Sequence, residues 1–121
     1  MSHRYHIDTD RHLITKMYSG TLTVDQEIAI VTEIIEDPHY RKGMNVYCDL
    51  SKATVVWTLE ELDRFRAFVA RIKKVTGHHN WAILIPHGKD NTTARIFTAL
   101  HDALEDTIDV RLFHDPDDAM N

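Results

Sequence analysis

Apolar residues recur along this chain with two periods, and each switch of period marks an element. Tyr5 to Asp8 and His12 to Tyr18 are short runs rich in β-branched and aromatic residues, with turn chemistry in Thr9-Asp10-Arg11 between them, so the pattern predicts an antiparallel hairpin. In the second arm Leu13, Thr15 and Met17 share one face and Ile14, Lys16 and Tyr18 the other, and Gly20 is expected to end the strand. Helical spacing then takes over. Thr23 with Gln26 three residues on reads as a capping box, and Val24, Ile28, Val31 and Ile35 form a stripe that Asp37-Pro38 closes. Tyr40-Arg41-Lys42-Gly43 leads to a strand over Met44 to Leu50, with Val46, Cys48 and Leu50 on one face.

The strongest local signal is at Thr58. It suits an N-cap, Glu61 stands at the capping-box position, Trp57 is placed to staple Leu62, and Glu60, Glu61 and Asp63 suit the positive end of the helix dipole. Leu62, Phe65, Val69 and Ile72 make the buried stripe, and Gly77 stops the helix. Trp81 to Ile85 is an unbroken apolar run, as in a central strand buried on both faces. Asn91 or Thr92 caps a third helix with Ile96, Phe97, Leu100 and Leu104 toward the core. Ile108 to Phe113 is the last strand, and Asp115-Pro116 begins a helix of about one turn. The order ββαβαβαβα predicts an α/β fold with a mostly parallel five-stranded sheet and one antiparallel edge.

Composition narrows the class. The 121 residues suit a single domain over 1–121, and 27% charged with 43% hydrophobic residues is ordinary for a globular chain. The net charge of −5 disfavours nucleic acid or an anionic membrane as partner. Nine histidines would reverse its sign to roughly +4 if all were protonated. No apolar segment reaches the length of a membrane span, and the polar start Met1-Ser2-His3-Arg4-Tyr5-His6 has no secretory character. A lone cysteine, Cys48, points to a reducing cytoplasm.

In open α/β sheets ligands sit beyond the carboxyl ends of the strands. That edge is expected to gather Asp49, Ser51, the Thr54-Val55-Val56-Trp57 loop, Thr58, His87 and Lys89 in Pro86-His87-Gly88-Lys89, and His114. With Trp57 exposed these form a pocket rim or partner surface; with Trp57 as a staple they are ordinary loop polar groups. Gly88 to Thr93 precedes a helix and offers free N–H groups to an anion, yet lacks the end of a phosphate-binding loop, and helix capping explains it. His78-His79, His3 and His6 show no ligating spacing, and no second cysteine completes a zinc site. Cys48 lies mid-strand as an inert thiol, Ser51 has no glycine elbow, and Asp49 has no evident acid–base partner. Neither catalysis, cofactor nor metal is expected.

Three stretches, Asp37-Pro38-His39-Tyr40-Arg41-Lys42-Gly43, Asp49-Leu50-Ser51 and Val110-Arg111-Leu112-Phe113-His114-Asp115, resemble the SpoIIAA-like proteins. That bacterial group is related to STAS domains, to anti-sigma-factor antagonists and to the CRAL-TRIO/Sec14 lipid-binding fold. The resemblance implies a βα superhelix with the last four strands side by side. STAS-type antagonists carry an Asp-Ser-Ser-Gly-like segment, phosphorylated on serine, where the second long helix begins. This chain has Val56-Trp57-Thr58-Leu59-Glu60-Glu61 there, and only Thr58 keeps a hydroxyl. Glu60, Glu61 and Asp63 oppose a phosphoryl group, so Thr58 is read as an N-cap.

The expected function is a non-enzymatic regulatory module acting through protein contacts, homodimerisation included, with Val55-Val56-Trp57 as an exposed anchor. The alternative is a carrier or sensor of a small apolar, lipid-like ligand, which needs a cavity between the sheet and Phe65, Phe68 and Phe97. An enzyme pairing Asp49 with His87 or His114 ranks last.

Overall fold

In a computed structural model that describes residues 1–85, 98–100, 102, 104 and 108–114, five strands line up in chain order as one mixed sheet. The strands are β1 (Ser2–Asp8), β2 (Leu13–Thr21), β3 (Asn45–Thr54), β4 (His79–Leu84) and β5 (Ile108–Phe113). β1 pairs antiparallel with β2, and every later pairing is parallel. The helices are α1 (Val24–Ile35), α2 (Leu59–Arg71) and the short α3 (Lys73–Thr76), and residues 98–100, 102 and 104 are also helical. The α/β class and the mostly parallel sheet with one antiparallel edge are therefore present. The caps expected at Asn91 or Thr92, the core positions Ile96 and Phe97, and the Asp115-Pro116 helix lie outside the described residues.

Each crossover advances one strand in the same direction, and right-handed connections then put the helices on a single face. One buried cluster joins Ile14, Val46, Cys48, Trp81 and Val110 of the sheet to Val31 and Ile34 of α1, Phe65 and Val69 of α2, and Leu100 and Leu104. Alternation turns the intervening residues to the other face. The register sets Arg4, Met17, Asp49, Leu84 and Phe113 there as one row across all five strands.

Both capping boxes form. Thr23 and Thr58 accept from the N–H of Gln26 and Glu61, and those side chains accept from the N–H of the capping threonines. The stripe of α1 is shifted from the expected one: Glu27, Ile30 and Ile34 are buried with Val24 and Val31, while Ile28 and Ile35 are only half-buried. Ile72, the C-cap of α2, is half-buried and packs against the core, and Phe68 is buried in addition to Leu62, Phe65 and Val69. Gly20 does not end β2. It adopts φ +86 inside a strand that runs to Thr21, past a register shift between Met17 and Ser19. β3 likewise outruns its expected end at Leu50, because Ser19, Gly20 and Thr21 supply paired backbone to Lys52, Ala53 and Thr54.

Candidate functional site

The junction between β3 and α2 corrects the expected anchor. The strand alternation persists beyond the last paired residue, so Ala53, Val55 and Trp57 turn inward while Thr54, Val56 and Thr58 turn out. Val55 is fully buried and Trp57 is 8% exposed. The Trp57 indole N–H donates to the Leu22 carbonyl at 3.0 Å, and its ring packs on Phe65 at 5.4 Å between centroids. Val55 and Trp57 therefore anchor the junction from within; they are no exposed surface. Val56 stays 58% exposed, and Leu59, which the sequence pattern did not single out, is 80% exposed. The Thr58 hydroxyl is engaged with the Glu61 N–H at 3.1 Å.

Asp49 and Ser51 are strand residues on the face away from the helices, and the Ser51 N–H donates to Asp49 Oδ1 at 2.8 Å. They line an open groove of about 380 Å³ at the carboxyl ends of β2 and β3. β1 starts at that end, antiparallel to β2, and adds Ser2 and Arg4, while β2 adds Ser19 and β3 adds Lys52. His114 stands just past β5 with Nδ1 2.7 Å from the Ile85 carbonyl. His87 and Lys89 lie outside the described residues.

A second feature is hidden in the core. Lys16 Nζ lies 2.7 Å from Glu27 Oε1, and the Tyr18 hydroxyl donates to the same carboxylate at 2.9 Å. Lys16 is 3% exposed and Glu27 5%. The ammonium also stands 5.3 Å from the ring centroids of Tyr18 and Trp81, a cation–π arrangement. Burial, reinforced by the Glu27 carboxylate, pushes the Tyr18 hydroxyl pKa far up, so it donates and stays neutral. Burial likewise pushes the Cys48 thiol up to about 12, which leaves no thiolate at neutral pH.

His79 is a core residue. It opens β4 and is buried, with Nδ1 2.9 Å from the Gly77 carbonyl. Burial holds its imidazole below the usual pKa. With Lys16, Phe65 and Trp81 it lines a mostly apolar cavity of about 30 Å³ under α1 and α2. That is room for a water or two and far short of an acyl chain. The Trp81 Nε1–H has no hydrogen-bond partner among the described residues.

No protein-family model matches the chain, and no curated protein matches it significantly. Among the described residues no helix is long and apolar enough to cross a membrane, and no three His, Cys, Asp or Glu side chains converge as metal ligands would.

Proposed function

We propose that this chain is a non-enzymatic interaction module of the SpoIIAA-like type, working in a reducing cytoplasm and binding a protein surface, first of all that of a second copy. One observation carries the reading: Val56 and Leu59, three positions apart, are held in solvent by a segment that is otherwise locked. Buried Val55, the hydrogen-bonded Trp57 and the Thr58–Glu61 capping box leave that segment little freedom to turn its apolar side chains inward. An apolar pair presented rigidly loses little conformational entropy on binding, which is how interface anchors gain affinity. The nucleophile candidate Cys48 is buried and protonated, and the hydroxyl of Thr58, the one kept at the phosphorylation position, caps a helix. Carriage of an apolar ligand has less support, because the cavity under α1 and α2 is of water size.

Sedimentation equilibrium of the full chain tests the reading. Wild type is expected to dimerise with concentration, and Leu59→Glu to remain monomeric with the circular-dichroism spectrum of wild type and a midpoint that no longer depends on protein concentration. A wild type that stays monomeric at high concentration, or a Leu59→Glu variant that dimerises as well as wild type, overturns it.

A further inference from the structure

The groove at the carboxyl ends of β2 and β3 has a composition unlike the rest of this acidic chain. Arg4 and Lys52 both face it, and neither forms an ion pair among the described residues. Arg4 is in register with Met17 and Asp49, and Lys52 with Ser19 and Ser2, so the two cations flank β2 two strands and two residues apart, about 12 Å between backbones at usual strand spacings and within reach of two long side chains. Ser2, Ser19 and Ser51 line it too, the Ser2 and Ser19 hydroxyls bonded to each other at 2.5 Å with one lone pair or more left on each oxygen for a ligand. Among the described residues Asp49 is the one acid in the lining, and its Oδ1 already accepts from the Ser51 N–H, which leaves Oδ2 to accept from a ligand. Two cations against one carboxylate leave the groove locally positive on a chain of net charge −5.

From this we infer that the groove is a binding site for a small phosphorylated polyol. The phosphate lies between Arg4 and Lys52, and hydroxyls of the carbon skeleton donate to Asp49 and exchange hydrogen bonds with the serines. Arginine grips a phosphate through two parallel N–H bonds, and lysine adds a point charge. Asp49 is what separates this ligand class from a bare anion: a carboxylate repels inorganic phosphate but rewards a hydroxyl donor. The volume agrees. At about 380 Å³ the groove falls in the range of small-ligand sites, and inorganic phosphate alone would leave most of it to water. The site shares no residue with the exposed Val56 and Leu59 pair.

The test is an amide-resolved NMR titration of the full chain with glucose 6-phosphate, glucose and inorganic phosphate in parallel. Glucose 6-phosphate is expected to give saturable shifts at residues 2–4, 19 and 49–52, with inorganic phosphate weaker at the same amides by ~tenfold or more and glucose silent. Arg4→Gln and Lys52→Gln each weaken glucose 6-phosphate by about tenfold, as loss of a charge-assisted contact does. Asp49→Asn weakens glucose 6-phosphate while leaving inorganic phosphate equal or tighter, a split that general damage to the fold does not produce. Shifts that rise linearly without saturating, or that survive the Arg4→Gln/Lys52→Gln double substitution, overturn the site. Inorganic phosphate binding as tightly as the sugar phosphate overturns it too, as an adventitious ion only.

Discussion

Removing the charge of Glu27 while keeping its shape isolates the buried ion pair. In Glu27→Gln the Lys16 ammonium stays 3% exposed with its carboxylate gone, and the Tyr18 hydroxyl loses a charged acceptor. Leaving one buried charge uncompensated costs about 3–5 kcal/mol. For 121 residues the entropy of unfolding is about 250 cal/mol/K, so the loss is about 12–20 °C in the midpoint. The reverse experiment removes the whole network at once. Lys16→Met with Glu27→Leu and Tyr18→Phe needs neither charge nor hydroxyl partner, and is expected at or above wild-type stability. Urea unfolding followed by circular dichroism and by fluorescence of Trp57 and Trp81 measures both variants, provided the slope with denaturant is unchanged. A single variant that loses less than ~1 kcal/mol refutes the burial argument, because an exposed ion pair is worth no more than that. A triple variant as unstable as the single one refutes the charge as the cause.

His79 makes stability depend on pH in a known direction. Its folded pKa is held below the usual imidazole value by burial, so the unfolded chain binds the extra proton. The contribution is complete above the ordinary imidazole pKa near 6.5 and is lost as pH falls through the lower folded value, at up to ~1.4 kcal/mol per pH unit. His79→Leu should flatten that slope between neutral and mildly acidic pH; an unchanged slope would assign the effect elsewhere. Cys48, buried with its thiol pushed up to about 12, should react with a disulfide reagent at pH 8 only as fast as the protein unfolds, and labelling faster than unfolding would contradict the burial. Gly77 has φ +64 and ψ −174, a region open essentially to glycine alone, and an added Cβ would also stand 3.1 Å from Lys42 Cε. Gly77→Ala should therefore cost about 1–3 kcal/mol in chemical denaturation, and a neutral result would show that the turn relaxes.

Much of the fold was legible because local and long-range signals agree. Capping boxes at Thr23 and Thr58 and the period-two runs placed α1, α2 and the strands, and the strand–helix alternation placed the parallel sheet. The errors have a common physical origin in pairing between distant segments. Nothing near Leu50 says that β3 continues, since what holds Lys52 to Thr54 in the strand is the backbone of Ser19 to Thr21. Residues 55–57 do lie outside the strand, and without the extension to Thr54 nothing sets which of them turn inward, so Trp57 reads as exposed anchor or as staple alike. The alternation itself was there to be read: Ala53, Val55 and Trp57 are every second residue, and each is buried.

The candidate sites divide the same way. Asp49 and Ser51 followed from the rule that ligands lie at the carboxyl ends of parallel strands, a rule that needs only strand direction. Arg4, Lys52, Ser2 and Ser19 did not follow, because β1 is antiparallel and brings its amino end there, and Lys52 is aligned with Ser19 only after the register shift. The Lys16–Glu27 pair was half visible. Lys16 shares a face with Ile14 and Tyr18, and once that face is the inner one an isolated charge there is so costly that a buried acid must be near. Glu27 is three residues from Val24 and four from Val31, and so on the inward face of α1. A charge on the inward face of one element therefore predicts a charge on the inward face of its neighbour, and that inference needs the order of the elements but not their coordinates.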